Sequence, residues 1–328
     1  MQQSDNAHIL VAENLTKSYD GKPALRGLSF SLQAGRILGF LGPNGAGKTT
    51  SIRILTTIFE PSSGKFHVDG ISSDHPELIR RKIGVLPESL GFYKQMTGIE
   101  FLTYFGQHYG RKTSTAKENA MALLKEVGLA EKGSALIGTY SRGMRQRLGI
   151  ARALVNDPVV VFLDEPTLGL DPRGKMELLA LVKRIASERK AGVIFCSHLL
   201  TEVEELCDDV VILREGQVVT TGAVQEVVAR GNRNMIRIRS LKENIAAASQ
   251  ILTGVPGIAA ISATNGKSDV LEMHTEDWII KNSPDDLQLK NQILNSLIQA
   301  GIPVLNFDGD SGSRLQDIFF QLTEDAKS

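Results

Sequence analysis

The sequence predicts an α/β protein: a parallel sheet flanked by helices, with an N-terminal antiparallel β part, an inserted helical subdomain and a small C-terminal α+β domain. Three observations carry this expectation. Residues 159–163 and 192–196 are short, continuous apolar runs, the pattern of strands covered on both faces. An apolar stretch at 35–41 runs straight into a glycine-rich turn and then a helical pattern. The last hundred residues read strand, helix, strand, strand, helix, strand, the split βαβ or ferredoxin-like order.

The elements follow in chain order. Residues 9–41 read as short strands turned at Asp20-Gly21 and Ala34-Gly35. Residues 48–59 form a helix with Ile52, Leu55 and Phe59 on one face. Strands at 65–68 and 82–86 precede a helical stretch from about 89 to 157, which includes 121–127 and 145–154. Strand 159–163, helix 175–189 and strand 192–196 then continue the βα alternation of a parallel sheet. Composition changes near Arg230-Gly231-Asn232-Arg233-Asn234, which reads as a linker and divides the chain into 1–231 and 232–328. The tail supplies strand 235–239, helix 244–252, strands 258–263 and 269–274, helix 287–299, strand 302–307 and helix 315–322.

Composition narrows the function classes. At 328 residues, 42% hydrophobic and 23% charged, the chain can bury a sizeable core. Thirty-seven basic side chains balance thirty-seven acidic ones, so no nucleic-acid partner is expected. Two cysteines cannot make a disulfide framework, which suits a reducing, cytoplasmic setting. A spanning helix needs about twenty apolar residues, and a signal peptide needs a charged start and an apolar block. Neither pattern is visible, so no direct insertion into a membrane is expected.

Gly42-Pro43-Asn44-Gly45-Ala46-Gly47-Lys48-Thr49 fits GxxxxGK[ST] in the required setting, strand before and helix after. The expected fold is therefore a P-loop NTPase core. Gly42, Gly45 and Gly47 let backbone N–H groups curl round a phosphate, and the helix start favours negative charge. Lys48 is expected on the β- and γ-phosphates and the Thr49 hydroxyl on Mg²⁺, with Asn44 and Thr50 completing the phosphate cradle. This motif alone leaves kinases, GTPases and motors open. Asp164 and Glu165 close the apolar strand at 159–163. Asp164 is expected to reach Mg²⁺ through water, and Glu165 to act as general base on the attacking water.

Tyr140-Ser141-Arg142-Gly143-Met144-Arg145-Gln146-Arg147 sits directly before a helical pattern. In isolation it reads as an N-capped basic helix. Between the P-loop and the acidic strand it resembles the signature motif of ATP-binding cassette (ABC) ATPases, usually LSGGQ. Ser141 and Gly143 agree with that motif; Tyr140, Arg142 and Met144 depart from it. The resemblance implies further roles in order along the chain: Tyr19 stacked on adenine, Asp171 of Thr167-Leu168-Gly169-Leu170-Asp171-Pro172 at a subunit boundary, and His198 on the γ-phosphate. Glu88 stands where the family normally places the glutamine of its Q-loop, implying a carboxylate near Mg²⁺ and the water. Glu88 and the YSRGM variant resemble the drug, lipid and polysaccharide exporter branch, including the daunorubicin-resistance type.

The resemblance implies ATP and Mg²⁺ as ligands and a head-to-tail homodimer in which Lys48 of one subunit and Ser141 of the other sandwich ATP. It also implies separate transmembrane permease subunits and a place on the cytoplasmic face of the cell membrane. Phe101, Phe105 and Tyr109 at i, i+4, i+8 read either as a buried stripe or as part of a groove for a membrane partner's helix. Non-transport ABC ATPases of translation or DNA repair are the alternative. The DNA-repair type inserts a long coiled coil for which the 90 residues between Thr50 and Ser141 are too few.

Overall fold

The computed structural model describes residues 8–89, 91–231, 235–263, 269–275, 284–308 and 315–324. Residues 1–7 and the linker positions 232–234 lie outside them. The chain separates into two compact units, one within Met1–Val224 together with Phe319–Ser328, the other within Gln225–Ile318.

In the first unit, β1 (His8–Tyr19), β2 (Lys22–Gln33) and β3 (Ile37–Leu41) lead into α1 (Lys48–Leu55). Then come β4 (Ser63–Val68), β5 (Ile71–Ser72), α2 (Pro76–Arg80) and β6 (Ile83–Leu86). A helical subdomain holds α3 (Gly98–His108), α4 (Thr113–Glu126) and α5 (Arg142–Ala153). The sheet resumes with β7 (Val160–Asp164), α6 (Pro172–Arg189), β8 (Gly192–Cys196), α7 (Leu200–Leu206), β9 (Asp209–Arg214) and β10 (Gln217–Ala223).

One sheet runs β10-β9-β3-β8-β7-β6, parallel except for the β9–β10 hairpin; the other is antiparallel, β2-β1-β4-β5. Every residue of β3 and β8 is buried, which is why both read as unbroken apolar runs. Leu10, Leu28 and Phe30 of the antiparallel sheet share one core with Phe40, Ile52 and Ile194. Helix α1 is shorter than the expected 48–59: it ends at Leu55, and Thr57 turns left-handed at φ 61°.

The helical subdomain is anchored by charge and by caps. Thr97 and Glu100 form a reciprocal capping box at the start of α3, and these hydrogen bonds hold the Glu100 carboxyl below its ordinary pKa. Arg189 of α6 grips Glu126 of α4 with two bonds of 2.9 and 2.6 Å. Phe101 is fully buried, whereas Tyr109 caps α3 and is exposed. The three expected aromatics therefore do not make one surface; an exposed Tyr93–Tyr104 edge contact lies there instead.

Helix α8 (Val224–Gly231) precedes β11 (Met235–Arg239), α9 (Ile245–Leu252), β12 (Ile258–Ala263), β13 (Val270–Thr275), α10 (Pro284–Gln299), β14 (Asn306–Asp308) and α11 (Leu315–Glu324). The strands pair antiparallel in the order β12-β13-β11-β14, the ferredoxin-like arrangement. Ile236, Ile238, Leu271 and Met273 meet Leu252 of α9 and Leu289, Ile293 and Leu297 of α10. Strand β14 begins at Asn306 rather than 302, although the Leu305 amide already donates to the Arg239 carbonyl at 2.8 Å.

Candidate functional site

Strand β3 ends at Leu41, and the loop that follows turns directly into α1. Gly47 caps that helix in a left-handed conformation, φ 104°, where a side chain would be strained. A Cβ there would also lie 2.7 Å from Leu25 and 2.8 Å from the Ala24 carbonyl. No side chain caps α1, so its first N–H groups are free to meet an anion. The Lys48 ammonium donates to the Gly42 and Pro43 carbonyls at 2.5 and 3.1 Å.

A cavity of about 660 Å³ opens over this loop. It gathers Gly42, Asn44, Gly45, Gly47, Lys48, Thr49 and Thr50 with Glu88, Asp164, Glu165 and His198. Parallel register explains the convergence: Asp164 ends β7 opposite Cys196 of β8, and the Glu165 amide donates to the Cys196 carbonyl at 2.9 Å. Glu165 is itself left-handed, φ 48°, an unfavourable backbone for a residue with a Cβ and a feature of functional turns. Its carboxylate lies 2.7 Å from Nδ1 of His198; the histidine is 56% exposed and the glutamate only 16%. Burial, reinforced by the charges of Glu165 and Glu88, raises Asp164 to about 6.

Not every expected residue joins this cavity. Ser141, Gly143 and Asp171 line a separate one of about 710 Å³ that shares no residue with the first. There Ser141 caps α5, its hydroxyl accepting from the Met144 amide at 3.2 Å, and Asp171 caps α6 in the same way at 3.0 Å. Arg142 lies over Gly169, where a Cβ would come within 2.4 Å of the guanidinium carbon. Tyr140, buried at this turn, donates its hydroxyl to the Lys132 carbonyl at 2.7 Å. Tyr19 lines neither cavity; it is 40% exposed, edge-on to Phe59, with the Lys17 ammonium 5.6 Å from its ring.

Sequence reasoning missed Glu202, a buried carboxylate that receives the Thr167 and Ser197 hydroxyls. An acidic residue on a short helix gives no sign of burial; only its spacing of four from His198 was visible.

The model of the ABC transporter family matches residues 25–168. Over 314 residues the chain is 33% identical to the uncharacterised ABC transporter ATP-binding protein YxlF of Bacillus subtilis, spanning 96% of this chain and 99% of that protein. The chain belongs to the ABC transporter ATP-binding family. It is 35% identical over 231 residues to the daunorubicin/doxorubicin resistance ATP-binding protein DrrA of Streptomyces peucetius, 70% of each chain. A dimeric bacterial ABC transporter cassette superposes with a TM-score of 0.59 at 25% identity, over 66% of this chain and 98% of that one. The fold is thus that of an ABC cassette, and the protein is an ABC-type ATPase.

Proposed function

We propose that the chain is the ATP-hydrolysing subunit of a membrane exporter, with residues 1–231 as cassette and 232–328 as accessory domain. The observation that carries the composite site is the separation of the two cavities. The P-loop, Glu165 and His198 share one, while Ser141 and Gly143 stand in the other. A phosphate at Lys48 therefore needs a second subunit, in head-to-tail contact, to bring it the N-terminus of α5.

In this reading α1 and Lys48 hold the β- and γ-phosphates, and adenine extends from the cavity toward the exposed ring of Tyr19. Glu165 accepts a proton from water as its oxygen attacks the γ-phosphorus. The bond to the β-phosphate oxygen breaks, releasing ADP and phosphate. His198 steadies the γ-phosphate and Glu165 together. The donor set fits Mg²⁺: the Thr49 hydroxyl, a crowded Asp164 carboxyl that gains from a nearby cation, and Glu88. Bound there, Mg²⁺ would offset the charge that develops on the phosphates.

The exporter reading draws support from relatives named for drug resistance and bacitracin transport, which favours it over a translation or DNA-repair switch. Among the described residues no helix is long and apolar enough to cross a membrane, so the reading assigns the crossing to separate permease chains, with this one on their cytoplasmic face. The exposed Tyr93–Tyr104 pair is the surface proposed for the permease. Co-expression with the product of a neighbouring gene carrying about six apolar segments should give a co-purifying complex whose ATPase responds to lipid vesicles. Recovery with ribosomes or DNA instead would overturn the exporter.

A further inference from the structure

One buried carboxylate has no part in the chemistry above. Glu202, 5% exposed, lies in the first turn of α7. Its Oε2 accepts the Thr167 hydroxyl at 2.6 Å and the Ser197 hydroxyl at 2.9 Å, and both of those residues are 1% exposed. Thr167 is two residues beyond Glu165, and Ser197 immediately precedes His198. The Ser197 hydroxyl also accepts from the Leu199 amide at 3.1 Å, which fixes the turn carrying His198. The other oxygen, Oε1, has the Lys175 ammonium at 3.3 Å, as an ion pair outside hydrogen-bond alignment. Lys175 belongs to α6, the helix capped by Asp171.

A charged carboxylate is costly to bury, and packing alone would be served better by an apolar side chain. What this one adds is geometry. A single oxygen ties the turn after β7 to the end of β8, the two segments whose tips are Glu165 and His198, 2.7 Å apart. With water excluded, the shared bonds are strong and directional. We propose that Glu202 is a positioning residue for hydrolysis: through Thr167 and Ser197 it sets the Glu165–His198 spacing, and through Lys175 it links that spacing to the Asp171 turn. The inference rests on the Glu165–His198 pair being the chemical centre.

The test is steady-state ATPase of the full chain, with kcat and the KM for ATP determined separately. Glu202→Ala should lower kcat about tenfold or more, the scale of a small misplacement of reacting groups, with KM nearly unchanged because the P-loop is untouched. Glu202→Gln keeps an oxygen for both hydroxyls and should recover part of the loss. Thr167→Val and Ser197→Ala should each lower kcat in the parent and add nothing in the Glu202→Ala background. Should Glu202→Ala fail to fold, the near-isosteric Gln and Val variants carry the test. A kcat close to the parent's, a loss matched by a rise in KM, or fully additive effects would each overturn the proposal. Glu165→Gln is measured alongside. If it stays active, the reading of the pair falls and this inference with it; if it is inactive while the Glu202 variants match the parent, only the inference falls.

Discussion

Glu165 meets His198 through a backbone that pays for the meeting. Its left-handed φ of 48° costs about 1 kcal/mol relative to an ordinary conformation, and the turn it makes allows the 2.7 Å contact. Glu165→Gln should slow hydrolysis at least about a hundredfold, the usual cost of removing a general base, while ATP binding persists; single-turnover assays with an ATP-trapped dimer on gel filtration read both. Asp164 makes a pH prediction. Its proton is held to about 6, so without a cation the folded chain binds that proton more tightly than the unfolded chain does. That stabilisation is complete below the unfolded value and fades as pH rises through about 6. A cation needs the bare carboxylate, so the affinity for Mg·ATP should fall below about pH 6, by up to about tenfold per unit. Titration between about pH 5 and 7 with and without Mg²⁺ checks this, and Asp164→Asn should remove the dependence.

Helix starts carry most of the site. Helix α1 begins without a side-chain cap where a phosphate is expected, whereas α5 and α6 are capped by the side chains of Ser141 and Asp171. The two readings of the segment around Ser141, N-capped helix and signature motif, are compatible, because one hydroxyl serves the cap within the chain and remains at the rim of its cavity. Tyr140, a departure from the family's leucine, has a structural reason: its ring fills the core and its hydroxyl satisfies the Lys132 carbonyl. Tyr140→Phe should cost about 1 kcal/mol, lowering the melting temperature by about 2–4 °C with ATPase unchanged; calorimetry and turnover on one preparation test it. Strands β3, β7 and β8 were legible because burial on both faces leaves no alternation, whereas β9, buried from Val210 to Leu213, was not among the expected strands. The end of α1 was not legible either, since the left-handed turn at Thr57 leaves no mark in the apolar spacing.

At the scale of the whole molecule, two cavities with no shared residue require a second subunit in the proposed cycle. Mixing Ser141→Ala and Lys48→Ala chains should restore about a quarter of parental activity, since random pairing makes half the dimers mixed, each with one intact site. Neither variant alone should hydrolyse ATP. Ser141→Gly keeps the cap within a few tenths of a kcal/mol, so its substitution for Ser141→Ala separates a lost phosphate contact from a lost helix start. Activity strictly linear with concentration down to dilute monomer would count against the composite site.

Local chemistry was enough to write down much of this protein. A phosphate loop needs its glycines, lysine and threonine in consecutive order, and a doubly covered strand needs an unbroken apolar run; both are short-range patterns that a sequence displays. Tertiary structure decided what distance along the chain conceals. It brought His198 onto Glu165 across 33 positions, parted Ser141 from the P-loop, and buried Glu202 under two hydroxyls 5 and 35 positions away. Those relations depend on which strands lie side by side in the sheet, and strand order arises from packing of the whole unit rather than from any one segment.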